Sequence, residues 1–336
     1  MANRATPSRS FNTIKHSNRD KRAKRQKQQR SLINAICIVI VAILLCLLVF
    51  LVCMVAEKLN EGVSDLPPQN DQQQTQQQPG VSYVSVTQVK SAVHTGELLI
   101  VNSQNQYQFP TTSTGLKTIA DNRVKFEGVS NTYMVINTAW KLHTAALDAL
   151  NDMMYKYYEL STDGSVSVSS AYRSYEDQSN LSSSTTAAGY SDHHTGLCVA
   201  LMANAGKSDL EADHWIYQNC YKYGFVVRYP EAKSEITGVR DYGYCFRYVG
   251  VAHATYMYNN NLCLEEYVEL LKTTYTGDTH LTVSGADGNR YEIYYVPAAT
   301  TELTTLQVPK NYKYTISGDN IGGFIVTVCL STPAGA

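Results

Sequence analysis

The sequence predicts a mixed α+β fold that follows an N-terminal single transmembrane helix and ends in a small all-β unit. Three observations predict it. An uncharged apolar run covers residues 32–55, apolar residues recur at helical spacing over residues 133–160, and Tyr-rich stretches with strand character follow residue 275. The folded part therefore combines helices and strands and lies behind a membrane anchor.

The anchor prediction depends on length and on flanking charge. About 20 apolar residues suffice to cross a bilayer as a helix, and the run at 32–55 is too long for the core of a signal peptide. The preceding residues 1–31 hold ten Lys and Arg residues against Asp20 alone, or 10 − 1 = +9. The positive-inside rule then places this basic arm in the cytoplasm and everything after residue 55 outside the cell membrane.

The same charge asymmetry argues against one class of partner. The formal net charge is −1, so the chain beyond the basic arm carries −1 − 9 = −10. An acidic folded part is a poor match for nucleic acid. Residues 56–80 are polar and rich in Gln and Pro, and we interpret them as a disordered linker. We expect one domain over residues 81–274 and a small β domain over residues 275–336.

Within the first domain the patterns predict helices and strands in alternation. The apolar stripe of the helix at 133–160 includes His143, a position more typical of a core residue than of a ligand. The other predicted elements are a hairpin-like stretch at 98–101, strands at 165–174, 197–201 and 225–229, and helices at 209–223 and 264–271. In the C-terminal unit we expect strands at 291–296, 312–316 and 324–328, with a turn at 317–320.

Three segments carry residues suited to chemistry. They are SAYRSYEDQ at 170–178, YSDHHTGLCVA at 190–200, and YGFVVRYPEAKSEITGVRDYGYCFRYVG at 223–250. In this order they resemble three motifs of the VanY-type zinc D,D-carboxypeptidases of the bacterial cell envelope. The resemblance implies a zinc D,D-carboxypeptidase-like core, which is an antiparallel sheet with flanking helices, and peptidoglycan stem peptides as the partner.

The first motif implies a site for the terminal carboxylate of a peptide. In the family, the arginine of this motif grips that carboxylate, which implies the same part for Arg173. The planar guanidinium of arginine suits the task because it can bind a carboxylate through two parallel hydrogen bonds. We expect Gln178 and Ser191 to line the same groove.

The other two motifs imply the zinc site, and this chain departs from them. His193 stands at the position of a family zinc ligand, but Ala200 occupies the position of the Asp ligand and Cys245 that of the second His ligand. Tyr242 stands where the family has its catalytic Glu. Alanine offers no ligand atom, and a phenol with a reference pKa of about 10 is a poor base at neutral pH. We therefore expect no intact catalytic residue, and zinc that is absent or weakly bound.

The cysteines leave several arrangements open. Cys198 lies two residues before Ala200 on the same predicted strand, so both side chains point to one face. Cys198 and Cys245 could form a disulfide, could join His193 in a remodelled metal site, or could remain as buried thiols. Cys220 and Cys263 are a second candidate pair.

These departures predict a membrane-anchored pseudoenzyme that binds stem peptides or regulates other proteins. One alternative is an active metallo-D,D-carboxypeptidase with a remodelled metal site, and another is a purely structural envelope protein with an unused groove. We find no Ser-x-x-Lys and no Gly-x-Ser-x-Gly motif, so the sequence does not indicate a serine peptidase.

Overall fold

The strands and helices are described here from a computed structural model. It describes residues 82–111, 115–129, 131–181, 186–203, 206–240 and 242–333. In chain order, the strands within these ranges are β1 (Tyr83–Val89), β2 (Leu116–Thr118), β3 (Met134–Val135), β4 (Lys141–His143), β5 (Ser167–Ser170), β6 (Cys198–Met202), β7 (Phe225–Val227), β8 (Cys245–Tyr248), β9 (Leu281–Ser284), β10 (Arg290–Pro297), β11 (Leu303–Pro309), β12 (Tyr312–Gly318) and β13 (Gly323–Pro333).

The helices frame these strands. In chain order, the α-helices of the described residues are α1 (Thr144–Ser161), α2 (Tyr175–Ser179), α3 (Trp215–Asn219), α4 (Ser234–Thr237), α5 (Val251–Asn259) and α6 (Leu264–Thr274). Short 3₁₀ turns lie at Lys90–His94, Ala120–Asn122, Asp192–Thr195, Cys220–Tyr223 and Glu231–Lys233.

The central sheet of the first domain has five strands in the order β3-β5-β6-β8-β7. All its pairings are antiparallel except β3 with β5, which is parallel. The strands at the centre, β6 and β8, pair with Ala200 directly opposite Cys245. The predicted mixed α+β fold is confirmed, and the sheet places two of the three altered positions face to face.

Helix α1 packs against this sheet, but it begins later than predicted. Six side chains on one face are buried: Ala146, Leu147, Leu150, Met153, Met154 and Tyr157. The apolar residues before Thr144 instead form β3 and β4, because each finds a strand partner, in β5 and β2. The prediction of a helix from residue 133 was therefore wrong at its start, and His143 lies at the end of β4.

Two other predicted elements differ from the structure. Residues 98–101 are buried but form no strand, because their backbone is held by distant groups: the amide of Leu98 donates to Ser317 Oγ and that of Ile100 to the carbonyl of Asp319. The helix predicted at 209–223 begins at Trp215, since His214 caps it by accepting from the amide of Ile216. The α-helix ends at Asn219 and the 3₁₀ turn Cys220–Tyr223 continues it to Gly224, which is the predicted C-terminal cap.

Gly224 is needed at that end. Its φ of +81° is left-handed, and an added Cβ would come within 3.0 Å of the Gly250 backbone. This close approach lets strand β7 turn back beside the start of α5.

The C-terminal strands form a four-stranded antiparallel sheet in the order β12-β13-β10-β9. The strands predicted at 291–296, 312–316 and 324–328 are confirmed as β10, β12 and β13. Strand β1 also reaches this part of the chain, because it pairs antiparallel with β11 along its whole length, from Tyr83 opposite Pro309 to Val89 opposite Leu303. The predicted domain boundary at residue 275 stays a prediction.

The predicted membrane span at 32–55 and the linker at 56–80 lie outside the described residues. Among the helices that are described, none is long and apolar enough to cross a bilayer.

Candidate metal and peptide site

The altered family positions meet on one face of the sheet. Because Ala200 and Cys245 are directly opposite in the β6–β8 ladder, their side chains lie on the same side. Cys198 precedes Ala200 by two residues and so shares that face. The structure thus brings together Cys198, Ala200 and Cys245, as the sequence predicted.

Cys198 and Cys245 form a disulfide. The two residues are diagonal neighbours across the β6–β8 ladder, with Cα atoms 6.7 Å apart, and neither side chain is exposed to solvent. Of the three arrangements that the sequence left open for this pair, the structure has the disulfide.

The second proposed pair, Cys220 and Cys263, is not bonded, and that prediction was wrong. Their environments explain why. Cys220 packs into the core beneath α1, whereas Cys263 caps helix α6 at its N-terminus. Burial raises the pKa of the Cys220 thiol to about 12 and that of Cys263 to about 11, so both are unreactive.

His193 stands beside the disulfide on the 3₁₀ turn Asp192–Thr195, which ends at Gly196 with a φ of +69°. Its Nε2 forms a 2.7 Å hydrogen bond with the hydroxyl of Tyr242, while its Nδ1 is buried and has no hydrogen-bond partner among the described residues. Burial, aided by the positive charge of Arg173, lowers the pKa of His193 to about 3. The imidazole is therefore neutral at physiological pH, the form in which histidine binds metals.

Tyr242 occupies the position of the family's catalytic Glu but cannot act as a base as that carboxylate does. Its ring stacks on Tyr229, with centroids 5.7 Å apart, and packs with the disulfide in one apolar cluster. Burial raises the pKa of the Tyr242 phenol, and the nearby Arg173 offsets this only in part. A phenol above its ordinary pKa does not accept a proton from water at neutral pH.

The donor atoms decide whether zinc fits this site. His193, Cys198 and Cys245 each offer one donor atom, and the three atoms lie within 4.8 Å of one another. In the disulfide, however, the sulfurs are bonded to each other, and the thiolate is the form of cysteine that binds metals. Ala200 adds no donor. With His193 as its one remaining donor, the oxidised site does not fit the family's zinc.

Arg173, the predicted carboxylate-binding residue, is half-buried and held in place by its own motif. Its Nη1 donates to Gln178 Oε1 at 3.0 Å and its Nη2 to Ser170 Oγ at 2.6 Å. Its backbone amide donates to the carbonyl of His193 at 3.3 Å. The arginine is thus attached to the turn that carries the histidine.

Gln178 and Ser191 have structural roles beside Arg173. The amide nitrogen of Gln178 donates to the carbonyl of Thr186 at 2.6 Å, so both ends of this buried side chain are engaged within the chain. Gln178 therefore orients Arg173. Ser191 is buried as the N-terminal cap residue of the 3₁₀ turn at Asp192–Thr195.

A cavity of about 320 Å³ opens beside these residues. Its walls include Thr186, whose carbonyl holds Gln178, and Tyr229, which stacks on Tyr242. Tyr190 and Val239 also line it. The cavity therefore adjoins the cover of the disulfide and the carbonyl that holds Gln178, the hydrogen-bond partner of Arg173. A larger cavity of about 970 Å³ lies between the first domain and the C-terminal sheet, and its walls include His194.

Sequence reasoning missed the group that fixes the turn. Asp192 is fully buried and accepts hydrogen bonds from two equally buried arginines, Arg228 through Nε and Arg247 through Nη1. Arg228 also donates to both carboxylate oxygens of Glu265, at 3.0 and 2.7 Å. Burial would raise the pKa of Glu265, but the charge of Arg228 and the hydrogen bonds that this carboxylate accepts together outweigh burial and lower that pKa. We call Asp192, Arg228, Arg247 and Glu265 the charge cluster.

A signal for this cluster was present in the sequence. Arg228 and Arg247 each stand inside an apolar strand segment, FVVRY and CFRYV, where a charged residue needs a buried partner. Their common partner is the residue before His193.

We call His193, Cys198, Cys245 and Tyr242 the cysteine site.

Comparisons with known proteins agree with this fold. The sequence model described as VanY, D-alanyl-D-alanine carboxypeptidase, matches residues 139–251. A D-alanyl-D-alanine carboxypeptidase of Enterococcus faecium is 35% identical over an alignment 254 residues long, and the alignment covers 72% of this chain and 78% of that protein.

Solved structures are similar as well. The crystal structure of the vancomycin resistance D,D-dipeptidase VanXYg in complex with a D-Ala-D-Ala phosphinate analogue matches with a TM-score of 0.63 and 28% identity. The match covers 74% of this chain and 99% of that one. A structure of the D,D-pentapeptidase VanY from a VanB-type resistance cassette, in complex with Zn(II), matches 51% of this chain and 98% of its own, with 27% identity and a TM-score of 0.40.

Proposed function

Because this chain belongs to the VanY family of D-alanyl-D-alanine carboxypeptidases, we propose that it binds peptidoglycan stem peptides ending in D-Ala-D-Ala without hydrolysing them. One observation carries the proposal: the Cys198–Cys245 disulfide and the Tyr242 hydroxyl surround His193 where the family has its metal and base. The chain would act as a binding or regulatory pseudoenzyme.

The loss of hydrolysis follows from what the reaction needs. A catalytic zinc keeps three protein ligands and an open position, and a carboxylate takes the proton from its water. Here the oxidised site offers the imidazole of His193 as its one protein ligand. The base position holds a phenol whose pKa is raised by burial.

Peptide binding needs neither metal nor base. The guanidinium of Arg173 is oriented by Gln178 and Ser170 and remains partly exposed, and Gln178 bonds in turn to Thr186 in the wall of the 320 Å³ cavity. A pre-oriented arginine loses little freedom when it binds a carboxylate. It would hold the terminal carboxylate of the peptide while the preceding residues lie along the cavity.

The proposal places this binding at the outer face of the cell membrane. Residues 32–55 would form a single span, residues 1–31 would stay in the cytoplasm, and residues 56–80 would hold the domain away from the bilayer. Protease treatment of intact cells tests this orientation. We expect cleavage of the domain from outside and protection of the basic arm, and the reverse pattern would contradict it.

The main test separates binding from hydrolysis. A synthetic pentapeptide ending in D-Ala-D-Ala is titrated into the full chain by calorimetry, and D-Ala release is measured on the same sample. We expect binding without release. Arg173→Ala should weaken binding at least tenfold, since a charge-assisted bidentate contact contributes about 1.5–3 kcal/mol.

Arg240→Ala is the matched control, because Arg240 is an exposed arginine that pairs with the exposed Glu235. It should leave binding unchanged. Release of D-Ala in proportion to the protein, abolished by a chelator, would overturn the proposal. Absence of any peptide binding would overturn it as well.

A second candidate is an active metallo-D,D-carboxypeptidase with a remodelled site. It is favoured by the convergence of His193, Cys198 and Cys245 within 4.8 Å. Chelator-sensitive D-Ala release that requires reduced cysteines would identify it.

A further inference from the structure

The residues of the cysteine site can form either a disulfide or a metal site. In the disulfide its sulfurs are joined, but the same two sulfurs and one ring nitrogen of His193 already lie within 4.8 Å of one another. We propose that reduction of the Cys198–Cys245 disulfide creates a His-Cys-Cys site for a borderline-soft divalent cation such as Zn²⁺. The inference rests on the proposed function only in taking the oxidised site to be metal-free.

The geometry requires small movements. Bonds of about 2.3 Å to sulfur in a tetrahedral zinc site set the two sulfurs about 3.8 Å apart. Once the disulfide is broken, the sulfurs separate to about this distance through rotation of their side chains. The backbone need not change, because the ladder between β6 and β8 fixes the cysteine Cα atoms 6.7 Å apart. The donor atoms already lie within 4.8 Å of one another.

The donor set also selects the cation. Two thiolates and an imidazole favour zinc over the hard cations Mg²⁺ and Ca²⁺, which take oxygen ligands. Three protein ligands leave a fourth position for water or for the Tyr242 hydroxyl. This set differs from the two His and one Asp that the family resemblance implies, because Ala200 contributes nothing.

The change of state balances with one external reactant. A dithiol reductant gives two electrons and two protons, the sulfur–sulfur bond breaks, and two thiols form while the reductant becomes a disulfide. When the cation binds, the two thiols release their protons to solvent. In the reverse direction a second external reactant, a small disulfide, takes two electrons from the two thiolates and two protons from solvent to become two thiols, the protein's sulfur–sulfur bond forms again, and the cation is expelled.

A path for the reductant adjoins the sulfurs. Tyr229, Val239 and Tyr242 pack over the disulfide, and the first two of these also line the 320 Å³ cavity. A small dithiol that enters the cavity therefore meets two of the residues that cover Cys198 and Cys245. The peptide site and the path to the disulfide share this cavity.

The test uses Co²⁺ as a spectroscopic substitute for zinc. The full chain is prepared oxidised, reduced with dithiothreitol and freed of it, or reduced and then re-oxidised, and each sample is titrated with Co²⁺. We expect thiolate-to-cobalt charge-transfer bands with one equivalent in the reduced chain, bands at least tenfold weaker in the two oxidised samples, and loss of the bands when Zn²⁺ is added.

Variants assign the bands to residues. Cys245→Ser and His193→Ala should remove them, whereas Cys220→Ala and Cys263→Ala should keep them, since these buried thiols lie elsewhere in the fold. The proposal is overturned by equal bands in oxidised and reduced chain, by no bands in the reduced chain, or by bands that survive Cys245→Ser. The reduced and re-oxidised wild-type samples need no variant to fold.

Pentapeptide titration of the oxidised chain, run in parallel, keeps the two ideas apart. Cobalt bands without peptide binding would overturn the proposed function and leave the metal site standing. Peptide binding without cobalt bands would do the opposite.

Discussion

Asp192 and His193 are neighbours in the chain, yet they belong to two buried regions with different chemistry. In the charge cluster, Asp192 accepts hydrogen bonds from both Arg228 and Arg247, so the turn keeps all the side-chain contacts that hold it in place. In the cysteine site, the positions that the resemblance assigns to metal and base hold other residues, and His193 alone is unaltered. The comparison teaches that the residues that give this site its shape can be present while those that would carry out the reaction are replaced.

The largest effect should come from the charge cluster. Asp192→Ala leaves two buried arginines without their shared carboxylate, and unpaired buried charges are strongly destabilising. We expect the free energy of unfolding to fall by about 5 kcal/mol, measured by urea denaturation. Glu235→Ala, which breaks an exposed pair with Arg240, is the control and should cost less than about 1 kcal/mol. A similar loss in both variants would show that the cluster contributes nothing special.

The disulfide should come next. Its cysteines are 47 residues apart in sequence, and closing a loop of this length stabilises the fold by about 4 kcal/mol in the chain-entropy model. Cys245→Ser should therefore unfold at lower urea concentration, and added reductant should lower wild-type stability by a similar amount. Cys329→Ser, which alters a cysteine outside the disulfide, should have little effect. Insensitivity of the wild type to reductant would contradict the prediction.

The buried histidine predicts a dependence on pH. Burial lowers the pKa of His193 from 6.5 to about 3. Between these two pH values the unfolded chain therefore binds a proton at this histidine, whereas the folded chain does not. Its contribution to stability is therefore complete above pH 6.5 and is lost as the pH falls toward 3, at up to about 1.4 kcal/mol per pH unit.

His193→Gln should flatten the fall in melting temperature between pH 6.5 and 4. His253 provides a matched comparison, since burial also lowers its pKa to about 3, but it bonds to Tyr267 and Thr327 away from the cysteine site. His253→Gln should remove a similar share of the slope. An unchanged slope in both variants would rule out this account.

The smallest effect is expected at Gln178, and it should show whether this residue positions Arg173 or contacts the peptide itself. Gln178→Ala keeps the charge of Arg173 but removes one of its two side-chain supports. We expect pentapeptide affinity to fall about fivefold, which is about 1 kcal/mol and less than the loss in Arg173→Ala. An equal loss in both variants would mean that Gln178 itself touches the peptide.

The sequence was sufficient for the parts that depend on local pattern. Helix α6 and the strands β10, β12 and β13 lie where their apolar pattern indicates. The start of α1 could not be read in the same way. The apolar residues before Thr144 continue the helical spacing, and only their partners β2 and β5 make them strands.

Long-range partners also explain what was missed at the site. Asp192 stands at a variable position of its motif, and its importance comes from Arg228 and Arg247, which are 36 and 55 residues away. The pairing of Cys198 with Cys245 was foreseen as one of three possibilities. Sequence fixes which side chains can meet, whereas the bonding of two adjacent sulfurs depends on the redox conditions around them.

The ladder between β1 and β11 has a consequence for biosynthesis. In the described part of the chain β1 pairs with β11 alone, and Leu303 follows its partner Val89 by 303 − 89 = 214 residues. At ribosomal speeds of about 5–20 residues per second, β1 waits roughly 10–40 s for its partner. During that time its backbone amides and carbonyls form an open edge that can pair with other chains. Among the described strands, the one made first thus waits longest for its partner, and it is the segment of the nascent domain that most needs protection from aggregation.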